Sequence, residues 1–323
     1  MTTTYESAQD AFLGQLERVI TLGHPVTRRT DPTVELVGEA FVIEQPLRRC
    51  ITVPHRRNNV AASIAESVWM LAGRDDVAFL APYLPRAGDY SDDDNTWRGA
   101  YGPRLRRSFG VDQLAEVRNL LVDDPQSRRA VASIFDPAMD FVDSRDIPCN
   151  NWLHFIVVDG ALDLSIAARS IDLMWGFSGA DAFQWSVLQE LMARWVGVPM
   201  GQQRWFIGSC HLYARHLRRG EEILKSLAVP VTQTRPSAGY EGIWEFLKND
   251  LDSWFEVESL LRSGAHMACA EIEARVVDPL LQSFAVCLAG FWDLRWQRPL
   301  EGRLSWLGGT ELGLALEDLA RWL

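Results

Sequence analysis

A single cysteine in the segment RDIPCNNW has surroundings that suit a nucleophile. Cys149 follows a proline, stands between charged and amide side chains, and comes just before the alternating apolar run LHFIVV. A thiolate held at the edge of a strand can add to an electron-poor carbon. Free cysteine is also among the most buried residue types, so a small core residue after a turn is the alternative interpretation.

Several arginines are candidates for binding a phosphate. An arginine side chain presents a fork of N–H donors that matches phosphate oxygens, and three such places along the chain could converge on one phosphate. They are the pair Arg28 and Arg29, the pair Arg128 and Arg129, and Arg169, which is followed by Ser170. Any one Arg-Arg pair taken alone is more typical of a solvated or ion-paired surface.

Three further polar side chains are weaker candidates. Glu66 stands on a predicted helix amid apolar neighbours in SIAESVW, where a residue at the boundary of the core is the competing interpretation. His211 and Tyr213 alternate in CHLY, which also fits an ordinary strand face. None of the three indicates a reaction by itself.

The elements that must position these residues follow a mixed pattern of helices and strands. Helical spacing of apolar residues predicts helices over 5–22, 60–73, 112–122 and 181–198. Alternation predicts strands over 33–46 and 128–136, and two strands within 152–170 joined by the hairpin turn Asp159-Gly160. The segment 204–217 passes from strand to helix, and 240–323 is mostly helical.

These elements predict an α+β fold in which a mixed β-sheet is surrounded by helices. No repeat or low-complexity linker divides the chain, and VTQTRPSAGYEG at 231–242 is the best candidate for a break. We therefore expect a catalytic core over 1–230 and a helical C-terminal region over 231–323 packed on the same domain.

Composition limits the classes of function. The 323 residues are 47% apolar and carry a net charge of -11, which argues against general binding to nucleic acid because phosphate-backbone affinity needs clustered positive charge. Five cysteines without the spacing of a disulfide or zinc framework predict reduced thiols in a cytoplasmic protein. The N-terminus lacks a signal-peptide pattern and no window approaches the roughly 18 apolar residues of a membrane span, so no membrane partner is expected.

Taken together and in order, the candidate residues resemble the thymidylate synthase family, nearest its cytidylate 5-hydroxymethylase branch. The resemblance runs from about residue 25 to 217 and is densest in DDPQSRRAVASIFDP, in IPCNNWLHFIVVDGALDLSIAARSIDLMWG and in LQELMARWVGVPMGQQRWFIGSCHLY. It implies the three-layer α+β fold of that family, here with a helical C-terminal extension. It also implies a homodimer that uses 5,10-methylenetetrahydrofolate as cosubstrate and needs no metal.

The resemblance implies a role for each candidate. Cys149 matches the nucleophile, Glu66 in AESVWMLAGRDD matches the catalytic glutamate, and Tyr101 in RGAYGPRLR matches a tyrosine near the reacting carbon. Asp172 and Gly176 are expected at the folate. The residues expected at the nucleotide are Arg28, Arg29, Arg128, Arg129, Arg169, Ser170, His211 and Tyr213, with Arg128 and Arg129 reaching the phosphate bound by the neighbouring subunit.

The implied reaction explains why these residues are needed. Carbon 5 of a pyrimidine is a poor nucleophile, but addition of the Cys149 thiolate to carbon 6 makes an enolate-like ring that attacks a one-carbon unit. Arg169 is expected to favour the ionised sulfur and to lower the pKa of Cys149. Glu66, with ordered water, would move protons to and from the ring. Once folate leaves, hydride would give a methyl product and water a hydroxymethyl product.

The choice of base is predicted from the position that faces its Watson–Crick edge, where thymidylate synthases place an asparagine. A gap-free count from Arg169 selects Ala180, but a one-residue insertion in GFSGA selects Asp181, which we favour. A carboxylate accepts from the N4 amino group of cytosine and repels O4 of uracil. Its second oxygen must share a proton with N3, which predicts a raised pKa for Asp181 or for N3 in the complex. An N-cap of the following helix is the alternative role for Asp181.

Departures from the family pattern favour capture of water. Asn150 stands where a histidine commonly follows the cysteine, Ala168 replaces a glutamine, and the shortened segment 84–102 shows no clear aromatic shield for the intermediate. We therefore predict a hydroxymethyltransferase that acts on CMP or dCMP. The alternatives are a thymidylate synthase acting on dUMP, a nucleotide-binding relative without turnover, and a thiol hydrolase built on Cys149 and His154.

Overall fold

Seven strands form one mixed sheet in the computed structural model, which describes residues 2–28, 31–226 and 234–323. Their bounds are β1 Thr3–Tyr5, β2 His24–Arg28, β3 Asp31–Ile43, β4 Val131–Ser133, β5 Asn150–Val158, β6 Ala161–Asp172 and β7 Met200–Tyr213. The order across the sheet is β1-β3-β7-β6-β5-β4, with β2 paired to β3. The pairs β1–β3 and β6–β7 are parallel and the others are antiparallel, so the predicted mixed sheet is confirmed.

The hairpin between β5 and β6 places the candidate nucleophile against the next strand. Asp159 and Gly160 both have positive φ, 51° and 82°, as a two-residue type I′ turn requires. The resulting register pairs Asn150 with Ala168. The backbone N–H of Arg169 consequently donates to the carbonyl of Cys149 at 2.9 Å.

Helices cover one face of the sheet in two layers. The helices are α1 Ala8–Leu22, α2 Val60–Leu71, α3 Val77–Leu80, α4 Tyr101–Arg106, α5 Gln113–Asp123, α6 Ala182–Val196, α7 Leu217–Lys225, α8 Leu247–Arg262, α9 Cys269–Glu273, α10 Pro279–Arg295, α11 Glu301–Leu307 and α12 Glu311–Ala320, with short 3-10 turns at Ala87–Tyr90, Ala214–His216 and Trp244–Phe246. Helices α1 and α6 pack on the sheet, α2 packs on α6, and α10 packs on α2. The molecule therefore has three layers, as the sequence predicts.

A π-helix joins the sheet to α6. It spans Leu173–Asp181, directly after β6, and runs on into α6 without a break. Wide i→i+5 turns accommodate one extra residue in a helix and are frequent at functional sites. The predicted insertion in GFSGA lies in this segment.

One predicted strand is mostly wrong. The strand expected over 128–136 is limited to Val131–Ser133. The chain leaves the ladder because the backbone N–H groups of Ile134 and Phe135 both donate to the carbonyl of Asn151, at 2.8 and 3.1 Å. In a regular antiparallel ladder, two successive residues do not donate to the same carbonyl of the neighbouring strand. The strand therefore ends where Asn151 accepts from both Ile134 and Phe135.

The C-terminal helices are tied to the rest of the chain by a buried polar link. Tyr83 donates to Glu258 in α8 at 2.5 Å and accepts from Trp292 in α10 at 3.0 Å. The boundary predicted near residue 230 lies outside the described residues, so the division into a core and an extension stays a prediction. Within the described ranges, no helix is long and apolar enough to cross a membrane.

Candidate active site

Arg169 holds the loop that carries Cys149. Its Nε donates to the carbonyl of Pro148 at 3.0 Å, and its Nη2 donates to the carbonyl of Ile147 at 2.8 Å. The same Nη2 lies 3.9 Å from Cys149 Sγ. The guanidinium is exposed at its outer side, so it both fixes the loop and offers positive charge to a ligand.

The expected lowering of the pKa of Cys149 is wrong for the unliganded protein. Burial raises the pKa of the thiol to about 11, and Arg169 opposes this increase only in part. Carboxyl groups nearby add to the increase, with Asp181 the strongest of them. The loss of water around the thiol outweighs the effect of the one nearby guanidinium, two of whose N–H groups donate to backbone carbonyls. Cys149 is therefore a thiol, not a thiolate, at neutral pH before a ligand binds.

Tyr101 and Asn150 are joined beside the cysteine. Asn150 Nδ2 donates to the Tyr101 hydroxyl at 2.7 Å, and the Tyr101 ring stacks on Trp185 of α6 with centroids 5.1 Å apart. Burial, followed by the charges of Asp181 and Cys149, raises the pKa of Tyr101 well above its ordinary value. Tyr101 therefore remains a neutral phenol, and its own hydrogen is available to a ligand.

Asp181 faces this cluster and does not cap a helix. Its backbone is helical, with φ −61° and ψ −46°, and its side chain accepts no capping hydrogen bond. The carboxyl instead accepts from Gln184 Nε2 at 2.9 Å on Oδ1 and also accepts from Asn150. The N-cap interpretation is wrong because α6 continues the π-helix, so its first N–H groups already have partners. Ala180, the alternative position, is partly exposed and carries no polar group.

Two carboxyl groups of the cluster hold protons unusually tightly. Burial raises the pKa of Asp181 to about 7 in the protein without a nucleotide. Burial, and then the charges of Asp181 and Asp146, raise the pKa of Glu66 to about 8. The Glu66 carboxyl group forms no hydrogen bond with another described residue. Such acids are poised to gain or lose a proton near neutral pH, as acid–base groups must.

The expected folate residues lie at the start of the π-helix. Both carboxylate oxygens of Asp172 accept backbone N–H groups, from Met174 at 3.1 Å and from Trp175 at 3.0 Å, so Asp172 is the N-cap of the π-helix. Gly176 lies against Asp181, since an added Cβ would come 3.6 Å from Asp181 Oδ2. Gly176 therefore lies next to Asp181, the residue expected to read the base.

An aromatic pair stands beside Asp172. Trp175 is 44% exposed, and its ring stacks on Tyr90 with centroids 6.0 Å apart. Tyr90 in turn packs edge-on against Trp97. The segment 84–102 thus supplies the rings of Tyr90 and Trp97 to this region.

The expected sugar-binding residues come together at the ends of two parallel strands. The register of β6 and β7 pairs Ser170 with Ser209 and Asp172 with His211. His211 is buried, and its ring meets that of Tyr213 edge-on with centroids 5.3 Å apart. This brings His211 and Tyr213 to the same edge of the sheet as Asp172.

Arg128 and Arg129 are the remaining expected phosphate ligands whose side chains the structure describes. Arg128 and Arg129 are exposed, just before β4, and form no ion pair with a described residue. Neither the side chain of Arg28 nor any part of Arg29 is among the described residues. Among the predicted arginines with described side chains, Arg169 is the one that contacts the cysteine.

Comparison with known proteins decides the family. The family model described as thymidylate synthase matches residues 10–246. The chain belongs to the thymidylate synthase family. Thymidylate synthase-like enzymes transfer one-carbon units to nucleotides and use methylenetetrahydrofolate as cosubstrate.

Three similar curated relatives are named deoxyuridylate hydroxymethyltransferase. The one from Bacillus phage SP01 is 37% identical over 62% of this chain and 56% of its own length. The one from Pseudomonas phage M6 is 36% identical over 65% and 62%, and the one from Delftia phage PhiW-14 is 31% identical over 58% and 55%. The matched part thus spans less than two thirds of each relative. The shared name of these relatives specifies transfer of a hydroxymethyl group to a uracil nucleotide. It does not specify a cytidylate substrate.

Three residues of this thymidylate synthase site were missed from the sequence. Gln184 bonds Asp181 from one turn further along, a spacing that the sequence does contain. Asp146 accepts the Gly99 N–H at 2.8 Å, and burial raises its pKa. Arg56 is buried and donates to Ser178 Oγ at 2.8 Å, which anchors the π-helix. Neither Asp146 nor Arg56 has a neighbour in sequence that signals such a contact.

Proposed function

We propose that the protein transfers a hydroxymethyl group to carbon 5 of a cytidylate, CMP or dCMP, from 5,10-methylenetetrahydrofolate and water. The observation that carries the proposal is the carboxyl group of Asp181, which is buried beside Asn150 and Gln184 and is not used as a helix cap. An acid at this position, where the family reads the base with an amide, changes the pattern of donors and acceptors offered to the pyrimidine.

A protonated Asp181 fits the edge of cytosine. Its O–H donates to N3, and its carbonyl oxygen accepts from the N4 amino group. Because the pKa of Asp181 is raised to about 7, the proton that this pairing needs is available near neutral pH. The ionised form would leave the second oxygen facing the N3 lone pair, so binding of cytidylate is coupled to protonation.

The covalent steps follow from the cluster around Cys149. In the fraction of molecules in which Glu66 is ionised, the thiol gives its proton to Glu66 through water, and the sulfur adds to carbon 6 while Arg169 stabilises the developing thiolate. Carbon 5 then attacks the one-carbon unit and loses its hydrogen as a proton to water. The folate nitrogen leaves as an amine and takes up the proton held by Glu66, so that an exocyclic methylene remains on the ring. Water adds to that methylene and gives up a proton, and departure of the Cys149 thiolate from carbon 6 restores the aromatic ring.

The folate and the second subunit are part of the proposal. Asp172, Gly176 and the exposed Trp175–Tyr90 pair offer a flat apolar wall and a polar edge for a pterin-like ring. Phe206 and Val131 on the uncovered face of the sheet are each 46% exposed, which supports a symmetric partner there. In such a homodimer, Arg128 and Arg129 reach the phosphate in the partner's site.

Deoxyuridylate is the second candidate substrate, because the relatives carry that name. A protonated carboxyl whose proton sits on its other oxygen can donate to O4 and accept from N3–H of uracil. The experiment that decides is incubation with CMP, dCMP, UMP or dUMP and methylenetetrahydrofolate, followed by mass spectrometry. A gain of CH2O on a cytidylate is expected, whereas products from uridylates alone would overturn the choice of base.

A further inference from the structure

Asn150 has a buried oxygen with no partner. The residue is fully buried, and its Nδ2 donates to the Tyr101 hydroxyl and to Asp181. Oδ1, at the other end of the same amide, has no hydrogen-bond partner among the described residues. Buried acceptors are rarely left unpaired, because an acceptor without a hydrogen bond loses its hydration free energy and gains nothing in return.

The orientation of this amide is fixed by charge. Rotation by half a turn would place Oδ1 against the carboxyl of Asp181 and would remove the donor from it. Two oxygen acceptors facing each other repel, and in the proposed complex the proton of Asp181 is donated to N3 and not to Asn150, so the observed orientation is favourable with and without the nucleotide. The unpaired atom is consequently an acceptor, and a ligand must bring the donor.

The position of Asn150 indicates which donor that is. It directly follows Cys149, whose sulfur is the atom proposed to join carbon 6, and its amide touches Asp181, which is proposed to read N3 and N4. The N4 amino group of cytosine carries two hydrogens. One points toward N3, where Asp181 accepts it, and the other points toward carbon 5, on the side of the ring that Cys149 attacks.

We propose that Asn150 Oδ1 accepts the second N4 hydrogen of a bound cytosine, which makes Asn150 a specificity-determining residue. This inference rests on the proposed function, since it names a further contact to the same base. Together, Asn150 and Asp181 satisfy both hydrogens of the amino group. Uracil offers only the acceptor O4 at this place, so Asn150 Oδ1 would stay unpaired and would repel it.

The test measures the binding of CMP, dCMP, UMP and dUMP without folate by calorimetry, for the wild type and for Asn150→Leu and Asn150→His. Leu has nearly the shape of Asn without its polar atoms, and His is common after the cysteine in thymidylate synthases. The matched control is Asn151→Leu, the same change one residue later, where the side chain forms no hydrogen bond with a described residue. Two variants at position 150 ensure that a folded protein can be compared.

We expect each Asn150 variant to weaken cytidylate binding about tenfold while uridylate binding is unchanged or stronger. The control should leave the ratio of the two affinities as in the wild type. Equal weakening for both bases would mean that Asn150 only positions Tyr101 and Cys149, and it would overturn the proposal, as would an unchanged ratio.

The outcome is separable from that of the proposed function. If the wild type hydroxymethylates cytidylates but the Asn150 variants keep the ratio of affinities, the function stands and the role of Asn150 fails. If the wild type reacts with uridylates alone, the choice of base fails first, whatever the variants do.

Discussion

The guanidinium of Arg169 lies 3.9 Å from the sulfur of Cys149, yet the pKa of that thiol is raised to about 11. The positive charge is partly engaged by the carbonyls of Ile147 and Pro148, and the thiol has lost its water. A permanently ionised thiol would react with any electrophile in the cell. The geometry instead keeps Cys149 protonated until a ligand changes its surroundings.

Removal of the Arg169 charge should therefore make Cys149 less reactive. We expect Arg169→Gln to slow alkylation of Cys149 by iodoacetamide about tenfold at a fixed pH, because Arg169 is the group that lowers the thiol pKa. Alkylation in the wild type should still accelerate as the pH rises above about 9. The control is Arg204→Gln, which breaks an ion pair between Arg204 on β7 and Asp163 on β6. A wild-type rate that is already maximal at neutral pH would contradict the raised pKa.

Loss of the thiol should stop the chemistry without stopping binding. Cys149→Ser is expected to abolish exchange of the carbon 5 hydrogen of the nucleotide with solvent, since a serine hydroxyl is a far weaker nucleophile for carbon 6. Nucleotide affinity measured by thermal shift should fall by less than about threefold. Exchange that continues in this variant would remove Cys149 from its role.

Substitutions of Asp172 and Asp181 should distinguish a residue that caps a helix from one that reads the base. Asp172→Ala is expected to destabilise the protein by about 1 kcal/mol because Asp172 caps the π-helix. Asp181→Asn should change stability less, because Asp181 caps nothing, but should shift the ratio of activities toward uridylates by about tenfold or more. Chemical denaturation and competition between dCMP and dUMP measure the two effects. If Asp181→Asn destabilised the protein as much as the Asp172 substitution and left the ratio of activities unchanged, Asp181 would be a helix cap and not the residue that reads the base.

The proton on Glu66 gives a pH dependence with a defined sign. Because the folded pKa is raised from 4.5 to about 8, its stabilising contribution is complete below the unfolded pKa and is lost as the pH rises through the folded pKa. Glu66→Gln should therefore be more stable than the wild type by about 1–3 kcal/mol at pH about 8.5, and nearly equal to it at pH about 4. Denaturant titrations at both pH values measure this. A difference that grows as the pH falls would contradict the sign.

Mixed dimers test whether Arg128 and Arg129 serve the partner. A double Arg128→Ala and Arg129→Ala chain and a Cys149→Ser chain should each be inactive. If the arginines act across the interface, refolding the two together rebuilds one complete site in each mixed dimer and returns about a quarter of wild-type activity. No recovery from verified mixed dimers would place the arginines in their own subunit's site or outside it.

The sequence predicted the features that depend on near neighbours. The hairpin at Asp159-Gly160 and the position of Cys149 before a strand follow from local turn chemistry. The choice of Asp181 over Ala180 as the base-reading residue assumes a one-residue insertion and stays a prediction, and a π-helix spans the segment where that insertion would lie. The pKa of Cys149 was predicted in the wrong direction because burial is set by packing from distant segments, and charge alone was visible in the sequence. The stacked rings of Trp175 and Tyr90 belong to residues 85 positions apart in the chain. No local sequence pattern predicts such a contact.

Turnover in isotopically labelled water tests the central claim most directly. The protein would be incubated with dCMP or CMP and methylenetetrahydrofolate in water enriched in heavy oxygen, and the nucleotide product would be analysed by mass spectrometry. The account predicts a 5-hydroxymethyl cytidylate that carries the heavy oxygen, because water is the group that captures the exocyclic methylene. A methylated product without added oxygen, or a product formed from uridylates while cytidylates stay unchanged, would contradict it.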